Sequence, residues 1–172
     1  MSKVWLVCVD LDGTLWDCPD VSKLRLPFYK ISDESFRDSE GTIVSLIPGA
    51  KLFLEELKNH DNFITSTLSW NEYEKAYEAL RLLQLVKYFD YIVIENHPRK
   101  DLMLLKLMRI IEREHGIKIK PNNIVYIDDR DIHIKDIKDN IGEEVMFIQI
   151  WKDSVDFYKL IEVVKEIASS DC

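Results

Sequence analysis

The sequence predicts an α/β fold, a Rossmann-like doubly wound parallel sheet that forms the middle layer of a three-layer sandwich. Three observations predict it. Apolar strand-like runs alternate with amphipathic helical stretches, polar residues follow directly after several strands, and the length of 172 residues suits one domain. Because right-handed crossovers join parallel strands, the connecting helices are expected on both faces of the sheet.

The predicted strands are short apolar runs. The first covers residues 3–9 (KVWLVCV), and its nearly continuous apolar character indicates a strand that is buried on both faces. Further strands are predicted, in chain order, over residues 62–67, 91–95, 123–127 and 145–150.

The predicted helices show apolar residues at helical spacing. Pro48 suits the first turn of a helix over residues 48–60. Gly116 follows a strongly amphipathic helix over 101–115, at the position where a left-handed glycine commonly ends a helix. The remaining helices are predicted over residues 71–85, 132–140 and 155–168.

One segment, from Leu15 to Ile47, interrupts the alternation of strands and helices. Two short strands are predicted within it, over 27–31 and 42–46, and the polar residues 33–41 connect them. The chain is therefore expected to be one domain over residues 1–172, with a small hairpin flap at about 15–47.

Composition excludes several classes of partner. The chain has 23 Lys and Arg residues and 31 Asp and Glu residues, a net charge of −8, which argues against a nucleic-acid partner. No apolar run approaches the roughly 18–20 residues that span a membrane, and a secretory signal is not expected. The three cysteines form no CxxC pair, which favours a reduced, cytoplasmic protein.

Acidic pairs follow two of the predicted strands. Asp10 and Asp12 come directly after the first strand, and Asp128 and Asp129 follow the strand over 123–127. Such carboxylates at the end of a sheet repel one another unless they share a cation, and Mg²⁺ prefers oxygen ligands. The spacing therefore predicts a Mg²⁺ site at the carboxyl ends of the strands.

Residues suited to a phosphate follow the other strands. Ser66 and Thr67 offer hydroxyl groups near the start of the next helix, and Lys100 follows a proline turn at the start of another. An ionised Asp can attack phosphorus to form an acyl phosphate, and a second acid can protonate the leaving oxygen and then activate water. These strand ends therefore carry the groups that phosphoryl transfer needs.

These motifs resemble those of the haloacid dehalogenase superfamily of phosphohydrolases. Residues 9–15 (VDLDGTL) match its first motif, DxDxT after an apolar strand, while Ser66, Lys100 and the 128–129 acid pair match the other three in order. A closer likeness, carried by TLW at 14–16 and LPFYK at 26–30 among other stretches, is to the magnesium-dependent phosphatase 1 family.

The resemblance implies a capless or minimally capped enzyme with defined roles for the acids. Asp10 would be the nucleophile and Asp12 the general acid and base. Mg²⁺ would be held by Asp10, the backbone carbonyl of Asp12 and Asp128, with Asp129 behind them or as a further ligand. The implied substrates are phosphotyrosine proteins or sugar phosphates, and the protein is expected to be a monomer or a small homo-oligomer.

The resemblance also implies the phosphate-binding groups, with two departures from the closer family. Ser66, Thr67 and Lys100 would bind the phosphate, with the Leu11 backbone N–H close by. Gly13 stands where that family often has Tyr, and Thr67 stands where relatives can carry Arg, which removes a bidentate phosphate contact.

Other functions remain open from the sequence. The same site suits a phosphotransferase, or a dehalogenase of the superfamily, although Asp12 at the acid position favours phosphoryl chemistry. A non-catalytic phosphate-binding or protein-binding module is the alternative from another class. Trp16 is expected either to pack in the core or to line the site entrance, and Trp70 to pack at a helix start.

Overall fold

A computed structural model describes residues 3–170 of the chain. Its strands are β1 (Trp5–Val9), β2 (Tyr29–Ser32), β3 (Ser35–Arg37), β4 (Ile43–Ser45), β5 (Phe63–Thr67), β6 (Ser69–Trp70), β7 (Ile94–Glu95), β8 (Ile124–Asp128) and β9 (Met146–Gln149). Its α-helices are α1 (Ala50–Lys58), α2 (Tyr73–Leu82), α3 (Lys100–His115), α4 (Ile134–Asn140) and α5 (Phe157–Ser170).

The central sheet is parallel and has the strand order β5-β1-β8-β9. Alternate residues of β1 enter two separate hydrophobic clusters, because successive side chains of a strand point to opposite faces. Val7 and Val9 pack with α1, α2 and α5, whereas Leu6 and Cys8 pack with α3 and α4. Helices therefore cover both faces, and the predicted three-layer, doubly wound fold is confirmed.

The strand order reverses between β1 and β8. From β1 the chain moves outward to β5, and it later returns to the other side of β1 to form β8 and then β9. The Asp10 backbone N–H donates to the carbonyl oxygen of Ile127 at 2.9 Å, so the residues after β1 and β8 lie side by side. Ligands of such sheets bind at this switch point.

The inserted segment differs from the predicted two-stranded hairpin. It forms a three-stranded antiparallel sheet, β2-β3-β4, preceded by a 3₁₀ turn at Val21–Lys23. Its middle strand was missed because Ser35–Arg37 is short and carries one buried apolar residue, Phe36, between two less buried polar ones. The Phe36 ring stacks on Phe28 with centroids 4.9 Å apart, which anchors the small sheet to the core.

Most predicted elements exist, with ends that differ by a few residues. Pro48 lies outside the first helix, which begins at Ala50 after Gly49 as the N-cap residue. Gly116 has the expected left-handed conformation, with φ of 66°. Of the strand predicted over 91–95, only the last two residues form a strand, β7, which runs parallel to the unpredicted β6. Within residues 3–170, no helix has the length and apolarity to cross a membrane.

Candidate active site

Asp10 lies at the centre of the switch point. It is buried, and each of its carboxylate oxygens accepts a hydrogen bond: Oδ1 from Lys100 Nζ at 2.8 Å and Oδ2 from Thr14 Oγ1 at 3.0 Å. Burial raises the pKa of Asp10, and the Lys100 ammonium opposes that rise.

Lys100 joins the two acidic strand ends. It is the first residue of α3 and only 1% exposed, and its Nζ lies 2.8 Å from both Asp10 Oδ1 and Asp128 Oδ2. Asp128 also accepts hydrogen bonds from the Tyr126 hydroxyl and, at 3.0 Å, from the Arg130 backbone N–H. Burial would raise the pKa of Asp128, but Lys100 and these donors outweigh it and hold that pKa below its usual value.

Asp10, Asp128 and Asp129 form a candidate metal site. One carboxylate oxygen from each lies within 4.8 Å of the others, and such oxygens are the hard donors that Mg²⁺ prefers. Burial and the neighbouring acids raise the pKa of Asp129 to about 7. Gly13 makes room for this group, because a Cβ at Gly13 would lie 2.6 Å from Asp129 Oδ2. The residues therefore fit a divalent cation.

Asp12 extends from the same loop as Asp10 but in a different environment. Its Oδ1 accepts from Trp16 Nε1 at 2.8 Å and from the Val21 backbone N–H at 3.2 Å, while Oδ2 accepts from Asn71 Nδ2 at 2.5 Å. Burial raises the pKa of Asp12 to about 7, although the Trp16 hydrogen bond lowers it. A carboxyl group of this pKa can exchange a proton near neutral pH.

Three of these side chains, those of Asp10, Asp12 and Lys100, line a pocket of about 320 Å³, whereas Asp128 and Asp129 are outside its lining. Its lining residues come from the strand ends, from the inserted segment and from the loops before α2 and α3: Asp10, Asp12, Pro19, Asp20, Ser22, Trp70, Asn71, Asn96, Lys100 and Arg130. The insert contributes residues near its 3₁₀ turn, and the β2-β3-β4 sheet is not in the lining. Trp70 is 43% exposed at this pocket, contrary to the expectation that it packs at a helix start.

Ser66 and Thr67, predicted to bind phosphate, lie outside this lining. Ser66 pairs in register with Cys8, two residues before Asp10, and its buried hydroxyl donates to the Thr67 carbonyl at 2.7 Å. Thr67 Oγ1 accepts from the Val93 N–H at 2.7 Å and donates to the Val93 carbonyl at 3.1 Å. Both hydroxyls therefore hold backbone in the sheet instead of facing the pocket.

Leu11 and Trp16 are both buried outside the pocket lining. Leu11 is fully buried between the two loop acids, and its carbonyl accepts from the Thr14 and Leu15 N–H groups at 3.0 and 2.9 Å. Trp16 is fully buried, so its expected place at the entrance is wrong and its core placement is confirmed.

Sequence reasoning missed Asn71, Asn96 and Arg130 as pocket residues. Asn71 was interpreted as the start of a helix that in fact begins at Tyr73. The one available signal was position, because an amide after a parallel strand lies at the binding edge of the sheet.

Three solved structures show the same fold. The phosphatase-containing N-terminal part of a Bacteroides fragilis protein, complexed with Mg, is 17% identical with a TM-score of 0.57; the match covers 95% of this chain but 40% of that one. The 3-deoxy-D-manno-octulosonate 8-phosphate phosphatase of Moraxella catarrhalis is 18% identical, with a TM-score of 0.57 and coverage of 98% and 87%. A HAD-superfamily hydrolase from Ehrlichia chaffeensis is 14% identical, with a TM-score of 0.64 and coverage of 97% and 98%.

At these identities the solved structures show the fold alone. A family model adds to them, because the one described as acid phosphatase matches residues 4–160, nearly the whole described chain. The match includes every acid of the pocket and Lys100. The chain therefore belongs to the acid phosphatase family and has the fold of the HAD-superfamily phosphatases.

Proposed function

We propose that the protein is a Mg²⁺-dependent phosphomonoesterase that works through an aspartyl-phosphate on Asp10. The observation that carries the proposal is the position of Lys100 Nζ, 2.8 Å from both Asp10 and Asp128, beside a second loop acid that faces the same pocket. This arrangement combines a nucleophile, positive charge and a proton donor. The narrower likeness to the magnesium-dependent phosphatase 1 family belongs to the same proposal.

The proposed reaction has two steps. In the first, an Asp10 oxygen bonds to phosphorus as the bond to the leaving oxygen breaks, and Asp12 gives its proton to that oxygen. In the second, water attacks phosphorus, Asp12 takes the water proton, and the bond between Asp10 and phosphorus breaks. Lys100 stays protonated beside Asp10 and Asp128, which favours ionised acids in the ground state.

The metal and phosphate ligands follow from the same geometry. Asp10, Asp128 and Asp129 would hold Mg²⁺, which when bound supplies positive charge against the phosphoryl oxygens and the crowded carboxylates. The Asp12 backbone carbonyl remains a proposed further ligand. For phosphate we retain Lys100 and the Leu11 backbone N–H, and we assign Ser66 and Thr67 to supporting the sheet.

Pocket size and lining support a small phosphorylated molecule as substrate. About 320 Å³ is at the lower end of ligand pockets, and the exposed Trp70 offers an aromatic face beside the amide of Asn96. A sugar phosphate fits such a lining, and the exposed Trp70 also suits an aryl group such as that of phosphotyrosine. Comparing kcat/KM over sugar phosphates, aryl phosphates and phosphotyrosine peptides would rank these classes.

The nucleophile is tested by Asp10→Asn. The amide cannot form the acyl phosphate, so hydrolysis of 4-nitrophenyl phosphate is expected to fall by more than about 10³-fold with the fold intact by circular dichroism. EDTA is expected to abolish wild-type turnover, and added Mg²⁺ to restore it. The control is Asp139→Asn, which alters an exposed acid paired with Lys135. Wild-type turnover by Asp10→Asn would overturn the mechanism.

A further inference from the structure

The side chain of Asp12 accepts hydrogen bonds from three donors in two separate parts of the chain. Trp16 and Val21 belong to the start of the insert and Asn71 to the loop before α2, and their hydrogen bonds to Asp12 measure 2.8, 3.2 and 2.5 Å. This is more restraint than an acid needs merely to end a strand. It fixes both the position and the rotation of the carboxyl group.

The chemistry of two of these donors is unambiguous. The Asn71 Oδ1 accepts from the Glu72 backbone N–H at 2.9 Å, so its Nδ2 must be the atom that faces Asp12. Asn71 is only 3% exposed, and its own N–H donates to the Glu95 carbonyl at 3.0 Å, which fixes its backbone. The indole N–H of the fully buried Trp16 can only donate.

Counting donors distinguishes the two oxygens of Asp12. Each carboxylate oxygen offers two acceptor positions. Within the part of the chain that the structure describes, Oδ1 receives two hydrogen bonds, from Trp16 and Val21, and Oδ2 receives one, from Asn71. The remaining acceptor position is therefore on Oδ2, and Asp12 lines the pocket.

We infer that Trp16 and Asn71 are positioning residues that make Oδ2 of Asp12 the oxygen that exchanges the proton. The inference rests on the proposed function. In the first step, the leaving oxygen takes the proton from Oδ2 while its bond to phosphorus breaks and the Asp10–phosphorus bond forms. Without either donor the carboxyl group can rotate, and the proton is no longer held beside the leaving oxygen.

Leaving groups of different basicity test this role. Phenol has a pKa of about 10, as tyrosine does, and needs a proton as it leaves, whereas the more acidic 4-nitrophenol does not. The measured quantity is kcat/KM, which reports the steps up to departure of the leaving group. In Asn71→Ala and in Trp16→Phe, we expect kcat/KM for phenyl phosphate to fall by about 10-fold or more and for 4-nitrophenyl phosphate by less than about 3-fold.

Asp12→Asn is expected to show the same pattern with a larger fall for phenyl phosphate. The matched control is Tyr88→Phe, which removes a hydroxyl that also donates to a carboxylate, that of Glu55 at 3.0 Å, outside the pocket. Its two kcat/KM values are expected to keep the wild-type ratio. Because Trp16→Phe retains most of the volume of the aromatic ring, it tests the same role if Asn71→Ala does not fold.

An equal fall for both substrates, or no fall, in a folded Asn71→Ala or Trp16→Phe protein would overturn the inference. That result would leave the proposed function intact as long as Asp10→Asn is inactive. Conversely, an active Asp10→Asn enzyme would contradict the assignment of Asp10 as the nucleophile, whatever the Asn71 and Trp16 variants show. The two failures are therefore distinguishable.

Discussion

At the scale of single residues, Gly13 shows how one missing side chain shapes the site. Its φ of +67° is in the left-handed region that favours glycine, and the space that a Cβ would fill holds the Asp129 carboxylate at 2.6 Å. The closer family of the resemblance often has Tyr here, and that side chain and this placement of Asp129 exclude each other. Gly13 therefore couples the loop of Asp10 to the acid pair after β8.

The coupling is measured by comparing Gly13→Ala with Gly116→Ala. Gly116 has nearly the same φ, +66°, but a Cβ there would meet no atom within 4 Å. Both variants lose about 1 kcal/mol from the left-handed conformation, and Gly13→Ala also displaces Asp129. We expect Gly13→Ala to lose more free energy of unfolding, measured in urea, than Gly116→Ala does. We also expect Mg²⁺ binding, measured by calorimetry, to weaken in Gly13→Ala but not in Gly116→Ala. Equal behaviour of the two variants would contradict the coupling between Gly13 and Asp129.

At the scale of elements, the start of α3 directs two consecutive charged side chains to different tasks. Lys100 extends into the site, whereas Asp101 is held by Arg99 Nε and Nη2 at 3.0 and 2.7 Å and by Asn140 Nδ2 at 2.7 Å. An acid in the first helical turn also suits the helix dipole. Because Asn140 ends α4, Asp101 fixes α3 against α4 and thereby fixes Lys100.

This contact predicts a pH dependence of stability. The Arg99 hydrogen bonds lower the pKa of Asp101 to about 2, below the value of about 3.9 in an unfolded chain. A lowered folded-state pKa stabilises the fold above pH 4, and this stabilisation is lost as the pH falls from about 4 towards 2. Urea unfolding across this range is expected to give a smaller pH slope for Asp101→Asn than for wild type. Parallel pH profiles would contradict the assignment.

At the scale of the whole molecule, the site exists because two strands that are far apart in the sequence, β1 and β8, are neighbours in the sheet. Asp10 follows β1 and Asp128 ends β8, and the strand order reverses between them. The sheet brings the acids together at a cost in repulsion, which Lys100 offsets in part. Binding of a divalent cation should therefore stabilise the entire fold.

The linkage is tested by thermal unfolding of the metal-free protein with increasing Mg²⁺. A ligand that binds only the folded state at 100 times its Kd adds about 2.7 kcal/mol of stability. The wild-type midpoint is expected to rise with Mg²⁺, and that of Asp128→Ala to stay constant. Asp139→Ala, on an exposed face of α4, should respond like wild type. A wild-type unfolding midpoint that does not change with Mg²⁺ would contradict the metal assignment.

Local patterns explain what could be predicted. The apolar runs of β1, β5 and β8 and the helical spacing of α3 are properties of neighbouring residues, so the elements and their parallel arrangement followed from the sequence. The acids of the site were found because they directly follow strands. The middle strand of the insert and the pairing of β6 with β7 were missed, because segments of only two or three residues carry no periodic signal.

The sequence by itself determined the fold class and the residues Asp10, Asp12, Lys100, Asp128 and Asp129 as a group. Only the tertiary structure decided which way side chains face and what holds them. Ser66 and Thr67 turn into the sheet, while Trp16 reaches Asp12 from four residues further along the chain and Asn71 from a distant loop. The physical reason is that strand and helix periodicities are short-range, whereas a hydrogen bond from Asn71 to Asp12 depends on register and on loop paths that no local pattern encodes.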